Sequence, residues 1–313
     1  MSDASSLLVS YVIPCYRSEP TIHLCLEAIV GQEGGFAREI ILVDSSPTDA
    51  LGQQLGRYES RERTTIAYVH TREQKNPGEA RNLGLERVKG DFIACLDSDV
   101  VANPRWTLQM LERHRALGSP QDLLLLGGSM VNSDRTDHYL ANALVLIEFY
   151  TSLPAPGCER RSKLPSLNLF FSKATLPAIR FPSARMCEDM MLCRDFEQRG
   201  GRIFFVGDNP VEHVTRHRFL KSTYQQGMGS ANYRLSSAAR RDQALYAALL
   251  PFGAAYKLLG IARGLARFNR SRLPSLLYYA PALAVGLCAY NVGMARGLVN
   301  HVAGIGDPRD RAR

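Results

Sequence analysis

Residues 90–99, with the sequence GDFIACLDSD, constrain the fold more than any other part of the chain. Residues 92–96 form a short, unbroken apolar run, which is typical of a strand covered on both faces in a mainly parallel sheet. Asp97 and Asp99 follow this run directly. In an open α/β sheet, ligands bind in the crevice beyond the carboxyl ends of the strands. The segment therefore predicts an α/β domain with two acids at its binding edge.

Asp97 and Asp99 are candidate metal ligands. With one residue between them, their carboxylates repel each other unless a cation or hydrogen-bond donors lie nearby. Hard divalent ions bind carboxylates together with phosphate oxygens, so we predict a Mg²⁺ or Mn²⁺ site for a diphosphate. The alternative is that Asp97-Ser98-Asp99 only turns the chain and caps a helix that begins near Asn103.

Strands and helices alternate before this segment. Apolar runs predict strands over residues 8–13, 39–43 and 64–69. Helical periodicity predicts helices over residues 22–29 and 80–88. Strands that alternate with helices at this spacing predict right-handed βαβ units and a mainly parallel sheet with helices on both faces.

Five segments, in this order, resemble the family-two glycosyltransferases of the Rossmann-like GT-A fold. They are VSYVIPCY at 9–16, IILVD at 40–44, GEARNLG at 78–84, GDFIACLDSD at 90–99 and CED at 187–189. The resemblance implies a catalytic domain over residues 1–235. It also implies that this domain moves a sugar from a nucleotide-diphosphate sugar by direct displacement, with inversion at the anomeric carbon.

The resemblance assigns the nucleotide to the ends of the first two strands. It implies that Pro14, Tyr16 and Glu19 bind the donor, with Tyr16 near the face of the base. It also implies that Asp44 holds the base, and a carboxylate can accept from an imide N–H or a ribose hydroxyl. Ser45 stands where the family often has a second acid, so the identity of the base stays open. Asp44 as a simple cap and Tyr16 as a packed loop residue are the alternatives.

Further roles follow for the diphosphate and the metal. The resemblance implies that Arg81 lies near the diphosphate, where its charge and the positive end of a helix dipole both favour phosphate. It implies that Asp97 binds sugar or ribose hydroxyls and metal, and that Asp99 and His213 are metal ligands. The alternatives are a solvated Arg81 that pairs within its own helix and a His213 that is only packed.

Glu188 and Asp189 form a second acidic pair at a predicted helix start. Sugar transfer needs a base that takes the proton of the acceptor hydroxyl as the new bond forms. The resemblance assigns this role to Asp189. First-turn acids also stabilise the helix dipole, and we favour that role for Glu188. Processive synthases of the family carry Gln-x-x-Arg-Trp further along, where this chain has QQGMG at 225–229, so we predict transfer of a single sugar.

Basic charge is concentrated in the C-terminal third. Residues 1–200 carry 22 basic and 25 acidic side chains, whereas residues 201–313 carry 16 and 5. A neutral catalytic part followed by a basic, apolar tail favours an anionic membrane surface over nucleic acid as the partner. We therefore predict that residues 236–313 form a membrane-associated helical region.

Two apolar helices are predicted in this region, over residues 244–262 and 273–299, and the linker 263–272 between them holds four arginines. If both helices crossed a bilayer, these arginines would lie outside, against the positive-inside rule. An interfacial or re-entrant hairpin, binding through residues 244–299, fits the pattern better. A soluble appendage or an oligomer contact is the alternative.

The sequence thus predicts a metal-dependent, inverting glycosyltransferase that adds one sugar to a glycan or polyprenyl-linked acceptor. We expect it at the cytoplasmic face of a bacterial inner membrane. The bacterial origin follows from the family resemblance and from the excess of Arg over Lys. Seven Cys without a C-x-x-C pair and an N-terminus without a basic leader favour the reducing cytoplasm. A sugar nucleotidyltransferase is the second candidate, although its Gly-rich phosphate loop is expected where Pro14-Cys15-Tyr16 stands. A non-catalytic basic module would explain the tail but not the strand-end acids.

Overall fold

The computed structural model describes residues 7–58, 63–136, 138–184, 186–214, 218–235 and 240–304. The chain divides into two compact units. The sheet unit comprises Met1–Val131, Pro154–Ala184 and Glu188–Val214, and the helical unit comprises Asn132–Leu153, Arg185–Cys187 and Thr215–Arg313. These units are not the two predicted regions, since residues 132–153 and 215–235 group with the C-terminal helices. A functional boundary after residue 235 stays a prediction.

The described strands are β1 (Leu8–Cys15), β2 (Ala37–Asp44), β3 (Thr64–His70), β4 (Phe92–Leu96), β5 (Val100–Ala102), β6 (Leu124–Asn132), β7 (Cys158–Arg160), β8 (Asn168–Ser172) and β9 (Arg202–His213). The described α-helices are α1 (Ile22–Val30), α2 (Pro77–Leu85), α3 (Trp106–Leu117), α4 (Tyr139–Phe149), α5 (Glu188–Gln198), α6 (Phe219–Leu235), α7 (Arg240–Leu249), α8 (Gly253–Phe268), α9 (Ser275–Tyr278) and α10 (Ala280–Val302). Short 3₁₀ segments are Gly52–Tyr58, Asp134–Thr136, Lys173–Ala178, Leu250–Phe252 and Arg270–Arg272.

The strands form one mixed sheet in the order β3-β2-β1-β4-β8-β6-β9-β5, with β7 paired to β9. The strands β3, β2, β1 and β4 are parallel to one another. The pairs β4–β8, β6–β8, β5–β9 and β7–β9 are antiparallel. The predicted α/β class is confirmed, but the parallel arrangement holds only for the first four strands. A buried apolar run indicates a covered strand and carries no information on its direction.

Helices cover both faces of the sheet. The Tyr11 hydroxyl of β1 lies 2.8 Å from Oγ1 of Thr107 in α3. A Cβ at Gly84 of α2 would lie 2.4 Å from Cγ1 of Val12, so only glycine lets α2 approach β1 this closely. Because successive strand residues point to opposite faces, α2 and α3 pack on opposite sides of β1.

The strand register brings the predicted site residues to one edge of the sheet. Cys15 of β1 pairs with Asp44 of β2, and β4 runs parallel to β1 on its other side. The carboxyl ends of all three strands therefore lie along the same edge. β9 is longer than the predicted strand over 202–206 and pairs with β5, which places His213 opposite Val100.

Helix α2 begins three residues before the predicted start. Pro77 occupies its first position, and the backbone N–H of Asn76 donates to Oε2 of Glu79 at 3.0 Å. Proline is tolerated in the first helical turn because a backbone N–H at that position has no intrahelical acceptor, so its absence costs no hydrogen bond. Arg81 consequently lies one turn into the helix, close to its positive end.

In the helical unit, α6 and α10 pack backbone against backbone. A Cβ at Gly227 of α6 would lie 1.9 Å from the Tyr290 carbonyl oxygen, and one at Gly293 of α10 would lie 2.0 Å from that of Tyr224. No larger residue fits at either glycine without separating the helices. Such close contacts between small residues are typical of tightly packed helix pairs in apolar surroundings.

The two predicted apolar helices are confirmed as helical but are interrupted. A 3₁₀ turn with Pro251 separates α7 from α8, and α9 precedes α10. By length and composition, Gln243–Phe268 and Ala280–Val302 could each cross a membrane. Core helices of soluble proteins also meet these two criteria.

Candidate active site

Arg81 joins two carboxylates that come from distant parts of the sequence. Its side chain is 2% exposed, and Nη2 donates to Oδ1 of Asp97 at 2.5 Å while Nη1 donates to Oε1 of Glu188 at 3.2 Å. Burial disfavours the charge, but Asp97 and Glu188 outweigh it and raise the pKa of Arg81. The guanidinium is therefore a fixed, buried cation at the end of β4, not a solvated helix residue.

Asp44 organises the turn that follows β2. It is fully buried, and Oδ1 accepts from the N–H of Ser46 at 2.9 Å and from its hydroxyl at 2.5 Å. Oδ2 accepts from the Tyr68 hydroxyl at 2.9 Å. Burial and Asp44 raise the pKa of Tyr68, so this phenol stays a donor. Asp44 is thus a turn residue with three protein donors, and its predicted contact with the base stays a prediction.

The loop after β1 carries the three other residues predicted to bind the nucleotide. Pro14 is half-buried, Tyr16 is 38% exposed and Glu19 is partly exposed. Arg17 adopts the left-handed conformation with φ of 51°, and its N–H donates to Oγ of Ser46 at 2.7 Å. This bond fixes the loop to the turn after β2, so the two strand ends form one surface.

Asp99 and His213 are neighbours, as the predicted metal site requires. Oδ1 of Asp99 lies 3.6 Å from Nε2 of His213, and the Val214 N–H donates to the Asp99 carbonyl at 2.8 Å. Within the described ranges, no group of three or more His, Cys, Asp or Glu side chains is placed to hold a metal ion. Asp97 instead bonds to Arg81. A carboxylate and an imidazole suit a divalent ion that takes its other ligands from phosphate and water.

Glu188 and Asp189 differ in their surroundings. Glu188 is buried against Arg81, and burial raises its pKa while the guanidinium opposes that rise. Asp189 is partly exposed, and its Oδ1 accepts from the Met190 N–H at 2.7 Å. Burial of its carboxyl and the charge of Glu188 raise the pKa of Asp189 to about 7. A base is most effective when its pKa lies near the working pH, so this pKa is compatible with the base role that the resemblance implies for Asp189, which stays a prediction.

Two features of the site were not predicted. Tyr68 and His70 lie two residues apart on β3 and therefore share a face, and their rings stack with centroids 6.4 Å apart. His70 Nε2 lies 2.9 Å from the Ser46 carbonyl oxygen, so β3 also supports the turn after β2. Ring side chains at alternate positions near the end of β3 were the sequence signal that could have indicated this pair. The bond from Arg81 to Glu188 spans 107 residues and has no local signal.

Comparison with known proteins identifies the segment that carries most of these residues. The family model described as glycosyl transferase family 2 matches residues 10–157. The matched segment contains the strand ends of β1, β2 and β4 together with Arg81 and both acids that follow β4. Over residues 10–157 the chain is similar to glycosyl transferase family 2. Asp189 and His213 lie beyond the matched segment, and their roles stay predictions.

Curated relatives include two bacterial proteins. The succinoglycan biosynthesis protein ExoO of Rhizobium meliloti (strain 1021) is 33% identical over 111 residues, which cover 36% of this chain and 31% of ExoO. The glycosyltransferase GlyG of Streptococcus pneumoniae serotype 4 (strain ATCC BAA-334 / TIGR4) is 24% identical over 216 residues, covering 65% of this chain and 69% of GlyG. The chain thus spans about a third of ExoO and about two thirds of GlyG.

A solved structure shares the fold. The crystal structure of GalNAc-T7 with UDP, GalNAc and Mn²⁺ superposes with a TM-score of 0.52 and 14% identity, covering 76% of this chain and 52% of that chain. At this identity the likeness concerns the fold alone. It agrees with a GT-A-like α/β architecture.

Proposed function

We propose that the protein is an inverting, metal-dependent glycosyltransferase that moves one sugar from a nucleotide-diphosphate sugar to a glycan or lipid-linked acceptor. One observation carries the proposal. Within the family 2 segment, the carboxyl ends of β1, β2 and β4 meet at one edge, with the Arg81–Asp97 ion pair and Asp99 beside it. In α/β sheets this is the edge where ligands bind.

The donor is proposed to bind along this edge. The exposed ring of Tyr16 offers a face to the base, and Asp44 holds the turn beside it. Asp97 keeps one carboxylate oxygen on Arg81, which leaves its other oxygen for a sugar or ribose hydroxyl. Arg81 itself acts mainly as a positioning residue, because both of its outer nitrogens already donate to carboxylates.

Asp99 and His213 are proposed to hold the divalent ion. When bound, Mg²⁺ or Mn²⁺ supplies positive charge that stabilises the leaving diphosphate. This assignment rests on the 3.6 Å separation of Oδ1 and Nε2 and on their positions, with Asp99 directly before β5 and His213 at the end of the paired strand β9. A nucleoside diphosphate would complete the coordination.

Asp189 is proposed to act on the acceptor. Its carboxylate takes the proton of the acceptor hydroxyl as that oxygen forms a bond to the anomeric carbon. The bond from the anomeric carbon to the diphosphate oxygen breaks at the same time, and its electron pair leaves with the nucleoside diphosphate. Attack from the face opposite the leaving group inverts the configuration. Since one displacement completes the reaction, one sugar is transferred in each event.

The helical unit is proposed to hold the enzyme at the cytoplasmic face of a bacterial membrane. Residues 243–306 contain six basic and no acidic side chains. Exposed valines recur every seven residues along α10, at 285, 292 and 299, and Leu277 is 83% exposed. An apolar face flanked by arginines is the pattern of helices that lie in the membrane interface. Contact through residues 244–299, without crossing the bilayer, keeps the linker arginines at the headgroups.

A donor screen tests the proposed function. The purified protein is incubated with a panel of nucleotide-sugars and with Mg²⁺ or Mn²⁺, and release of nucleoside diphosphate is measured with and without chelator. We expect one donor class to be turned over only when the metal is present. Release of pyrophosphate from a nucleoside triphosphate and a sugar phosphate would instead indicate a nucleotidyltransferase.

A further inference from the structure

The helical unit holds a partly buried lysine between two aromatic rings. Lys257 of α8 has its Nζ 5.2 Å from the ring centroid of Tyr150 and 5.3 Å from that of Tyr290. Burial lowers the pKa of Lys257 to about 8 and raises that of Glu148 to about 7, although each charge favours the other. The ammonium thus stays largely charged at neutral pH while most of its water is replaced by ring faces.

A second cation lies beside the first. The guanidinium Cζ of Arg234, from α6, lies 5.3 Å from the ring centroid of Tyr256, the residue before Lys257. Its charge is close enough to contribute to the lowered pKa of Lys257. Among the side chains that the structure describes, neither cation has a hydrogen-bond or salt-bridge partner. Two neighbouring cations without a bonded acid favour an anionic ligand.

A buried hydroxyl adds a third donor. The Tyr246 hydroxyl of α7 is buried and has no hydrogen-bond partner within the described part of the chain. Burial raises the pKa of this phenol to about 12, so the group donates, and the charge of Arg234 opposes the rise. The Tyr290 hydroxyl is already bonded to Oγ of Ser230 at 2.8 Å. An ammonium, a guanidinium and a phenol together match an anion with several oxygens, such as phosphate.

The surface next to these donors is apolar. Tyr256 is 62% exposed, and Leu259, which follows it by three residues and hence shares its side of α8, is 46% exposed. Leu258 is also exposed. Apolar side chains in water beside paired cations suit a ligand that joins an anionic head to a hydrocarbon chain. A soluble anion without a hydrocarbon chain would gain no binding energy from these apolar side chains.

We propose that Lys257, Arg234 and Tyr246 bind the phosphate of a lipid phosphate whose hydrocarbon chain lies over Tyr256 and Leu259 of α8. The inference rests on the proposed function, in which the acceptor is lipid-linked, and it names the phosphate ester next to the chain as the recognised group.

Binding to lipid phosphates tests the site without any donor. The full-length protein in neutral detergent micelles is titrated by calorimetry with dodecyl phosphate, with dodecanol and with inorganic phosphate. We expect dodecyl phosphate to bind at least about tenfold more tightly than either partial ligand, since each lacks one of the two contacts. Equal affinity for inorganic phosphate would overturn the lipid part of the proposal, and equal affinity for dodecanol would overturn the phosphate part.

Substitutions distinguish binding at this site from nonspecific attraction to the basic surface. Arg234→Gln and Lys257→Met should each weaken dodecyl phosphate binding by about tenfold or more, the loss of one charged hydrogen bond. Lys257→Arg should retain most of the affinity. Arg296→Gln removes an exposed cation elsewhere in the helical unit and should leave binding unchanged. Thermal unfolding checks each fold, and Arg234, being exposed, can be replaced without opening the core.

A third ligand distinguishes a lipid phosphate acceptor from a phospholipid headgroup of the membrane. Micelles doped with phosphatidylglycerol, a phosphodiester, are compared with micelles doped with dodecyl phosphate, a monoester. Tighter binding of the monoester, lost in Arg234→Gln, supports an acceptor site, whereas equal binding of the diester would show a membrane headgroup contact and overturn it. Unchanged affinity in both Arg234→Gln and Lys257→Met would overturn the whole site. Donor turnover, measured separately, reports on the proposed function alone.

Discussion

The sheet unit and the helical unit differ in whether their enclosed charged side chains are bonded to other protein groups. In the sheet unit, Arg81 donates to two carboxylates, and Asp44 accepts from three protein donors. In the helical unit, Lys257 lies between aromatic rings, and no described side chain bonds to it. Charges that are bonded to protein partners keep the geometry of a site fixed, while unbonded ones retain their affinity for a ligand. We infer that the sheet unit is preorganised for chemistry and the helical unit for binding.

Removal of a predicted metal ligand is expected to have the largest effect. Asp99→Ala should abolish turnover and the metal dependence of nucleotide binding, because the carboxylate beside His213 is lost while the strands stay intact. The measurement is donor turnover together with nucleotide binding in the presence and absence of Mn²⁺. Asp91→Ala, at the opposite end of β4, is the matched control and should keep its turnover. Full wild-type activity in excess chelator would contradict the metal site.

Removal of the proposed base should leave binding intact. Asp189→Asn is expected to lower kcat by about two to four orders of magnitude, with donor affinity nearly unchanged, because a base acts only in the chemical step. Steady-state kinetics and donor titration measure the two effects. Asp195→Asn, on the same helix and paired with the neighbouring Arg194, is the control. Parallel loss of donor affinity would argue for a donor-positioning role.

The same residue predicts the pH dependence. Because the pKa of Asp189 is raised to about 7, the residue is protonated below that pH and cannot accept a proton. The wild-type kcat should therefore rise through about pH 7 and level off above it. Residual turnover of Asp189→Asn should lack this rise. A rise of the same size in the variant would show that another group titrates.

The buried ion pair in the sheet unit should contribute more to stability than a surface pair. Arg81→Met leaves Glu188 buried without its cation and should lower the free energy of unfolding by about 3–5 kcal/mol. Arg113→Met breaks a surface pair with Asp208, whose side chains are 41% and 39% exposed, and should cost about 0–1 kcal/mol. Urea unfolding measures both. Adding Glu188→Gln to Arg81→Met should restore part of the loss, and equal costs for the two Arg variants would contradict the comparison.

The arginines of the linker should give the smallest effect per residue. Replacing Arg263, Arg267, Arg270 and Arg272 with Gln should weaken binding to anionic vesicles by about 1 kcal/mol for each residue near the surface. The salt sensitivity of binding should fall, while the apolar contribution remains. Co-sedimentation with anionic and with zwitterionic vesicles measures this. A wild-type protein that stays in the supernatant with anionic vesicles at low salt would end the membrane interpretation.

The two units also differ in what the sequence could predict. Asp97 and Asp99 follow an apolar run of five residues. Because the carboxyl ends of parallel β-strands lie along one edge of the sheet, the sequence could predict that these acids lie at the binding edge. The Arg81–Glu188 pair and the bond from Tyr68 to Asp44 join different elements, and only the packed fold brings them together. The antiparallel strands after β4 were missed for a similar reason, because burial does not encode direction.

In the helical unit, composition predicted the apolar and basic character but not the arrangement. Lys257 interrupts an apolar run, and nothing in its neighbourhood in the sequence indicates that Tyr150 and Tyr290 enclose it. The glycines of α6 and α10 allow the two backbones to touch. Helix-to-helix contacts depend on which faces meet, and one helical period fits several partners.

The configuration of the transferred sugar tests the central claim most directly. With the donor found by the screen and an acceptor that supports turnover, the anomeric configuration of the product is read by NMR while released nucleoside diphosphate is counted. A single displacement at the edge formed by β1, β2 and β4 predicts an inverted product and one sugar for each diphosphate. A product with retained configuration, or diphosphate released without transfer to any acceptor, would contradict the account.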